Sequence, residues 1–237
     1  MVKIVKPSND LTDVVYMTFF AAFLGLSGTT LVTLLTSFSD QSKEFTYLRQ
    51  ALISETAVNV IAGFTYFYFL KYLYEQRLSL EKVTSVRYLD WILTTPFLLL
   101  SFALFSQYAR NQNSDEEDKK IELVPLIYII ILDIFMLIFW FLGETGKIRK
   151  ISGFILGFLA YGGLIALLWI YYTKDSTQST KDVFYVFITV WALYGIAYLF
   201  PVKSKNVSYN ILDIISKGGF GMLIWITLIT NSETKNV

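Results

Sequence analysis

Leu212-Asp213-Ile214-Ile215-Ser216-Lys217-Gly218-Gly219-Phe220-Gly221 places a lysine and an aspartate inside the last apolar stretch of a 237-residue chain. Four residues apart, Asp213 and Lys217 share one face of a helix. Their neighbours are those of a segment immersed in hydrocarbon. Ionised groups at membrane depth cost several kcal/mol and mark a pathway, a relay or the counter-ion of a ligand. A buried lysine amine also has a chemistry of its own, condensation with a carbonyl to form a Schiff base. A structural ion pair between helices is the plain alternative.

A second charged segment argues against that alternative. In Val86-Arg87-Tyr88-Leu89-Asp90-Trp91-Ile92-Leu93-Thr94-Thr95-Pro96-Phe97-Leu98-Leu99-Leu100-Ser101, the residues Arg87, Asp90 and Thr94 fall on one helical stripe. Ser101 lies three turns beyond Asp90, roughly 16 Å along the same face. Such a polar file does not belong on a lipid-facing helix.

Composition agrees. Hydrophobic residues make up 54% of the chain and aromatics 17%, with a mean hydropathy of +0.52, well above a soluble domain's balance. Seven apolar stretches of about twenty residues follow one another: Val14–Leu35, Ala51–Tyr74, Val86–Tyr108, Ile121–Leu142, Ile151–Tyr172, Val183–Phe200 and Val207–Ile229. Each is long enough to cross a ~30 Å hydrocarbon core as a helix. Short polar connections leave residues 1–237 as one domain, an all-α membrane protein built as a seven-transmembrane-helix bundle. The stretch Met1–Asp10 lacks the apolar region of a cleavable signal, so the first helix is expected to direct insertion.

With no cysteine and no histidine, neither a disulfide nor the common metal sites are expected. A net charge of +1 offers no basis for a nucleic-acid partner. Lys and Arg fall in nearly equal numbers on the two sides, so the positive-inside rule does not orient the bundle. Ser114-Asp115-Glu116-Glu117-Asp118-Lys119-Lys120 reads as a solvated loop. Gly153, Gly157, Gly162 and Gly163 suggest close helix packing.

The two charged segments together resemble the microbial (type 1) rhodopsins. The family's R-Y-x-D-W-x-x-T-T-P is met by Arg87, Tyr88, Asp90, Trp91, Thr94, Thr95 and Pro96, and its D-x-x-x-K by Asp213 and Lys217, with Gly218, Gly219, Phe220 and Gly221 following. Trp191-Ala192-Leu193-Tyr194-Gly195-Ile196-Ala197-Tyr198 looks like the family's sixth helix, with Gly195 where proline is usual. Ile61–Tyr66 is similar to the second helix beside the chromophore. The resemblance implies all-trans retinal bound to Lys217 as a Schiff base. It implies Asp90 and Asp213 as counter-ions offset by Arg87, Thr94 hydrogen-bonding the Asp90 carboxylate, and a pocket of Trp91, Thr95, Leu98, Met136, Trp191, Tyr194, Tyr198, Tyr66 and Ser216. Function then reads as a light-driven outward proton pump in which Asp90 accepts the Schiff-base proton, a photoreceptor and ion transporter rather than an enzyme. A light-gated cation channel is the alternative, and a sensory photoreceptor a third reading.

The resemblance also shapes finer expectations. Asp90-Thr94-Ser101 with Glu55 is similar to viral rhodopsins. Ser101 stands where outward pumps usually carry the acid that returns a proton. Glu55, eleven residues before Tyr66, reaches the depth of Ser101 from the neighbouring helix and would be that donor, with Ser101 as its hydrogen-bond partner. Lys203 and Lys205 occupy the positions of an outer carboxylate pair, and Thr65 replaces the histidine of proteorhodopsins. An extracellular N-terminus, a plasma or host-cell membrane and a trimeric or pentameric homo-oligomer are likewise implied by the family, with protons and the bilayer as further partners.

Overall fold

A computed structural model of the chain describes residues 13–36, 43–112 and 120–235. The readings made for Met1–Asp10 and for Ser114–Lys119 lie outside them. All regular structure among the described residues is helical: α1 (Asp13–Thr36), α2 (Thr46–Tyr74), α3 (Leu80–Asn111), α4 (Leu123–Glu144), α5 (Lys150–Leu168) and α6 (Gln178–Tyr198). The seventh membrane helix is made of α7 (Val202–Asp213), a π-helical stretch Ile214–Gly219, and α8 (Phe220–Lys235). A second π-helical turn, Trp169–Thr173, prolongs α5.

Each apolar stretch falls on one membrane helix, although the fourth starts two residues before α4 and the sixth runs two residues past α6. The helices start earlier than hydropathy alone indicates where polar residues can satisfy their first N–H groups. α3 begins at Leu80 rather than Val86 because Ser79 caps it, its hydroxyl accepting from the Lys82 N–H at 3.3 Å. Thr177 caps α6 in the same way, accepting from the Thr180 N–H at 3.2 Å.

Among the described residues, six helical segments are long and apolar enough to cross a membrane. The remaining long helix, α2, has 29 residues but carries Arg49, Glu55, Asn59 and Lys71. It packs between α1 and α3, where Glu55 and Asn59 are buried. The outer surface is the reverse of a soluble protein's. Leu31, Phe64, Leu89, Val124, Leu159 and Val186 are exposed, while Arg87, Asp90, Asp213 and Lys217 are interior. This is an integral membrane protein, with its polar groups turned inward because the hydrocarbon phase offers them no partner.

Helices α4 and α5 share the most extensive contact between membrane helices, and glycines explain it. A Cβ on Gly153 would stand 2.7 Å from the Phe139 carbonyl oxygen, and one on Gly157 would overlap the Trp140 indole. Gly163 is tight as well, 3.3 Å from Leu132 Cδ1. Gly162 does not share this role, since a Cβ there meets nothing within 4 Å. Gly195 on α6 completes the group. Its Cβ would lie 2.5 Å from Phe158 ring carbons and 2.9 Å from Trp140, so Trp140 and Phe158 occupy space that a side chain would otherwise fill. Gly157→Ala is therefore expected to destabilise the fold by about 1–3 kcal/mol through overpacking, whereas Gly162→Ala changes stability by less than about 0.5 kcal/mol. Thermal unfolding midpoints in detergent measure the contrast; equal midpoints would refute it.

Candidate functional site

Lys217 lies in the π-helical stretch Ile214–Gly219, midway through the seventh membrane helix. π-Helical turns cost backbone geometry and persist mostly where function uses them. The Lys217 Nζ stands 2.5 Å from Asp90 Oδ2 on α3 and 3.5 Å from Asp213 Oδ1. Asp213 also accepts from Tyr194 OH at 2.7 Å, from Tyr66 OH at 2.8 Å and from Arg87 Nη1 at 3.3 Å. Arg87 is held in turn by Tyr66 OH at 2.8 Å, Asn206 Oδ1 at 3.3 Å and the Asn210 amide oxygen. Its guanidinium lies over the rings of Phe19, Tyr66, Phe69 and Tyr209, 5.2–5.8 Å from their centroids.

The cluster holds two cations and two carboxylates, all at most 4% exposed. Charge balance is what permits burial at this depth. Removing one member of a buried pair leaves an uncompensated charge and costs about 3–5 kcal/mol.

A largely apolar cavity of about 30 Å³ reaches Lys217. Trp91, Thr95, Leu98, Met136, Trp191, Tyr194 and Ser216 line it, together with Leu137 and Trp140. Tyr66 and Tyr198 stand elsewhere. Tyr66 bonds Asp213, as above. Tyr198 stacks on Trp140 at 6.4 Å and donates to the Lys150 carbonyl at 3.1 Å.

Two expected hydrogen bonds differ. Thr94 donates to the backbone carbonyl of Asp90 at 2.9 Å rather than to its carboxylate, the local i−4 bond that threonine makes readily within a helix. Ser101 lies beside the Glu55 carboxyl, yet its hydroxyl is directed to the Ala51 carbonyl at 3.3 Å. Neither Glu55 oxygen has a hydrogen-bond partner among the described residues.

Some residues of the site escaped the sequence reading. Asn206 and Asn210 precede Asp213 at helical spacing and bind Arg87. Asp133, fully buried on α4, meets the Thr95 hydroxyl at 2.5 Å. A lone carboxylate in the run Ile131-Leu132-Asp133-Ile134 is the signal that marked Asp213, and it identifies Asp133 equally well. Trp140 lies one turn beyond Met136 on the same face.

The sequence profile of the family described as bacteriorhodopsin-like protein matches residues 14–231. The chain belongs to that family of microbial rhodopsins. The green-light absorbing proteorhodopsin of Gamma-proteobacterium EBAC31A08 is 26% identical to this rhodopsin over 198 residues, 76% of each chain. Sensory rhodopsin-2 of Haloarcula vallismortis is 25% identical over 164 residues, 62% of this chain and 64% of that one. The crystal structure of viral rhodopsin OLPVRII superposes with a TM-score of 0.82 at 29% identity, covering 92% of this chain and 99% of the other. Membership of the family implies a retinal chromophore. The residues present fit one: a primary amine, balanced by carboxylates, at the end of an aromatic-walled apolar cavity.

On the Arg87 side of Lys217 the rhodopsin carries a second buried ion pair. Lys205, 1% exposed, donates to Glu144 Oε1 and Oε2 at 2.6 and 2.7 Å. The lysine standing where an outer carboxylate was sought thus brings its own carboxylate from α4. Lys205→Met leaves Glu144 unpaired and is expected to cost about 1–3 kcal/mol, less than for a fully enclosed pair because Glu144 keeps some exposure. Adding Glu144→Gln should recover most of the loss, and equal melting temperatures for single and double variants would contradict this.

Proposed function

We propose that this rhodopsin is a light-driven outward proton pump in which Lys217 holds all-trans retinal and Asp90 receives the transported proton. The observation that carries the proposal is the 2.5 Å contact between Lys217 Nζ and Asp90 Oδ2, made inside a charge-balanced cluster at the end of the cavity. The free ammonium stands where the protonated nitrogen of the retinal linkage would be. When bound, retinal supplies the absorption of visible light and an isomerisation that displaces this nitrogen.

The chain's own groups account for the rest. Asp90 Oδ2 is the base nearest the nitrogen, and its Oδ1 has no partner among the described residues, so the carboxylate has capacity to take a proton. Asp213 is held against the cation by Tyr66, Tyr194 and Arg87. Asn206, Asn210 and the surrounding rings hold Arg87 in register. Trp91, Trp191 and Met136 define an apolar slot that excludes water from the reacting nitrogen. Glu55, on α2 beside Ser101, is the acid available to return a proton to Lys217. An extracellular N-terminus, a plasma or host-cell membrane, a trimeric or pentameric assembly and a single domain over 1–237 rest on the family resemblance. In that orientation Arg87 faces outward and Glu55 the cytoplasm.

The decisive experiment is photocurrent under voltage clamp. A pump keeps an outward current at every voltage, whereas a light-gated channel reverses with the ion gradient. Lys217→Ala should abolish the visible band, and a coloured Lys217→Ala protein without added amine would overturn the retinal assignment. Asp90→Asn removes one counter-charge, so the band should move to the red and transport stop. Transport persisting in Asp90→Asn would make Asp213 the acceptor. In the family that the chain resembles, an apolar residue at the Leu98 position goes with green absorption and glutamine with blue. Leu98 in the cavity wall therefore predicts green absorption, moved somewhat to the blue by the Ser216 hydroxyl, and Leu98→Gln a further shift to the blue; a violet wild-type maximum would refute this.

A further inference from the structure

Beyond Lys217, on the side that carries Glu55, the interior is filled in two unlike ways. Between α3, α6 and α8, Phe102, Phe184, Phe187 and Phe220 are buried against one another. Ring centroids lie 5.3 Å apart for Phe102 and Phe187, 5.6 Å for Phe187 and Phe220, and 6.0 Å for Phe102 and Phe184. Close-packed rings offer no atom that can accept and pass on a proton.

Between α1, α2 and α8 the interior is polar instead. Thr29, Thr33 and Thr36 follow one face of α1 over about 10 Å. The hydroxyls of Thr33 and Thr56 meet across α1 and α2 at 2.9 Å. Thr36, at the end of α1, accepts from Trp225 Nε1 of α8 at 2.8 Å. At the other end of the row, Asn59 Nδ2 approaches the Lys217 carbonyl at 3.4 Å. A Cβ on Gly221 would lie 3.1 Å from Thr29, 3.3 Å from Asn59 and 3.6 Å from Glu55, so three helices converge on Gly221 and its lack of a side chain leaves the polar groups room. Glu55 and Asn59 are fully buried at this convergence, the Glu55 Cβ against Gly221 and its carboxyl beside Ser101 of α3, and neither Glu55 oxygen nor Asn59 Oδ1 has a hydrogen-bond partner among the described residues.

We propose that the proton that reloads Glu55 enters through the hydroxyl seam between α1, α2 and α8, past Thr36, Thr33 and Thr56 to Thr29 and Glu55, and not between α3 and α6. The route rests on Glu55 being the donor to Lys217. One proton enters from the cytoplasmic water for each one that Glu55 has given up. The hydroxyls of Thr29, Thr33, Thr56 and Thr36 donate to the carbonyls of Gly25, Thr29, Leu52 and Val32 at 2.8–3.0 Å, so each turns from its own helix to accept on one side and donate on the other, with water between hydroxyls that do not touch. A seam that served packing alone would work as well with valine, which has the shape of threonine without the hydroxyl.

That difference is the test. Thr33→Val, Thr56→Val and their double variant, reconstituted with retinal in lipid nanodiscs, are followed by flash absorbance and by a pH-indicating dye. Proton uptake in the double variant should slow at least tenfold, while the absorption maximum and the rate of proton arrival on Asp90 stay as in the wild type. Added azide, a small acid that can protonate the Lys217 nitrogen directly, should restore turnover, and Thr33→Ser should recover the rate lost in Thr33→Val. Phe102→Leu should leave uptake unchanged. Either single valine variant carries the same readout if the double variant binds no retinal. Wild-type uptake in the valine variants, with uptake slowed in Glu55→Gln, would place the route elsewhere. Unchanged kinetics in Glu55→Gln would instead remove the donor itself.

Discussion

Two positive and two negative side chains, buried together at the centre of a bundle that faces hydrocarbon, set the terms for everything around them. Lys217, Arg87, Asp90 and Asp213 come from two helices, and no one of them is tolerable there without the others. Their mutual neutralisation explains why α3 and the seventh membrane helix must meet at this level and in this rotation. It also explains the two asparagines and three tyrosines nearby. Tyr66, Tyr194, Asn206 and Asn210 satisfy the lone pairs and N–H groups that the ion pairs leave over, and Tyr209 offers Arg87 a ring face. A partly satisfied network in a low-dielectric interior would be worse than none.

The cluster is asymmetric, and the asymmetry has chemical consequences. Asp213 is held by four groups, whereas Asp90 makes one close contact, with Lys217, and keeps an oxygen unpartnered among the described residues. The Asp213 oxygens are thus taken up by donors, whereas Asp90 keeps an oxygen open beside the proton's source. The wider π-helical turn at Ile214–Gly219 belongs to the same arrangement, since it carries both Lys217 and Ser216, whose hydroxyl meets Tyr194 OH at 2.8 Å. The cavity wall and the ion cluster therefore share Tyr194, so a change in one is felt in the other.

Packing on the far side of the cavity follows a different rule. Trp140 takes its place because Gly157 and Gly195 have no side chains, an exchange of bulk between neighbouring helices. The departure from proline at position 195 is accounted for by this contact, where Phe158 occupies the space beside α6.

Much of this was legible in the chain. Hydropathy located seven membrane helices because water and hydrocarbon impose a long-wavelength pattern that does not depend on tertiary detail. Charged residues inside those stretches identified Lys217, Asp213, Arg87 and Asp90, since their cost at membrane depth leaves few explanations other than use. Helical spacing placed Glu55 at the level of Ser101, and the two side chains do lie side by side. What spacing could not decide was direction: whether the Thr94 hydroxyl turns to a carboxylate or to its own helix, whether Ser101 faces Glu55 or the Ala51 carbonyl, which of four glycines is pressed by a neighbour. Each of those outcomes depends on a competition among contacts within a few ångströms, settled only once neighbouring helices are in position. The partner of Lys205 is another such case, because Glu144 lies 61 residues earlier in the chain, and only the packed bundle brings the two charges together.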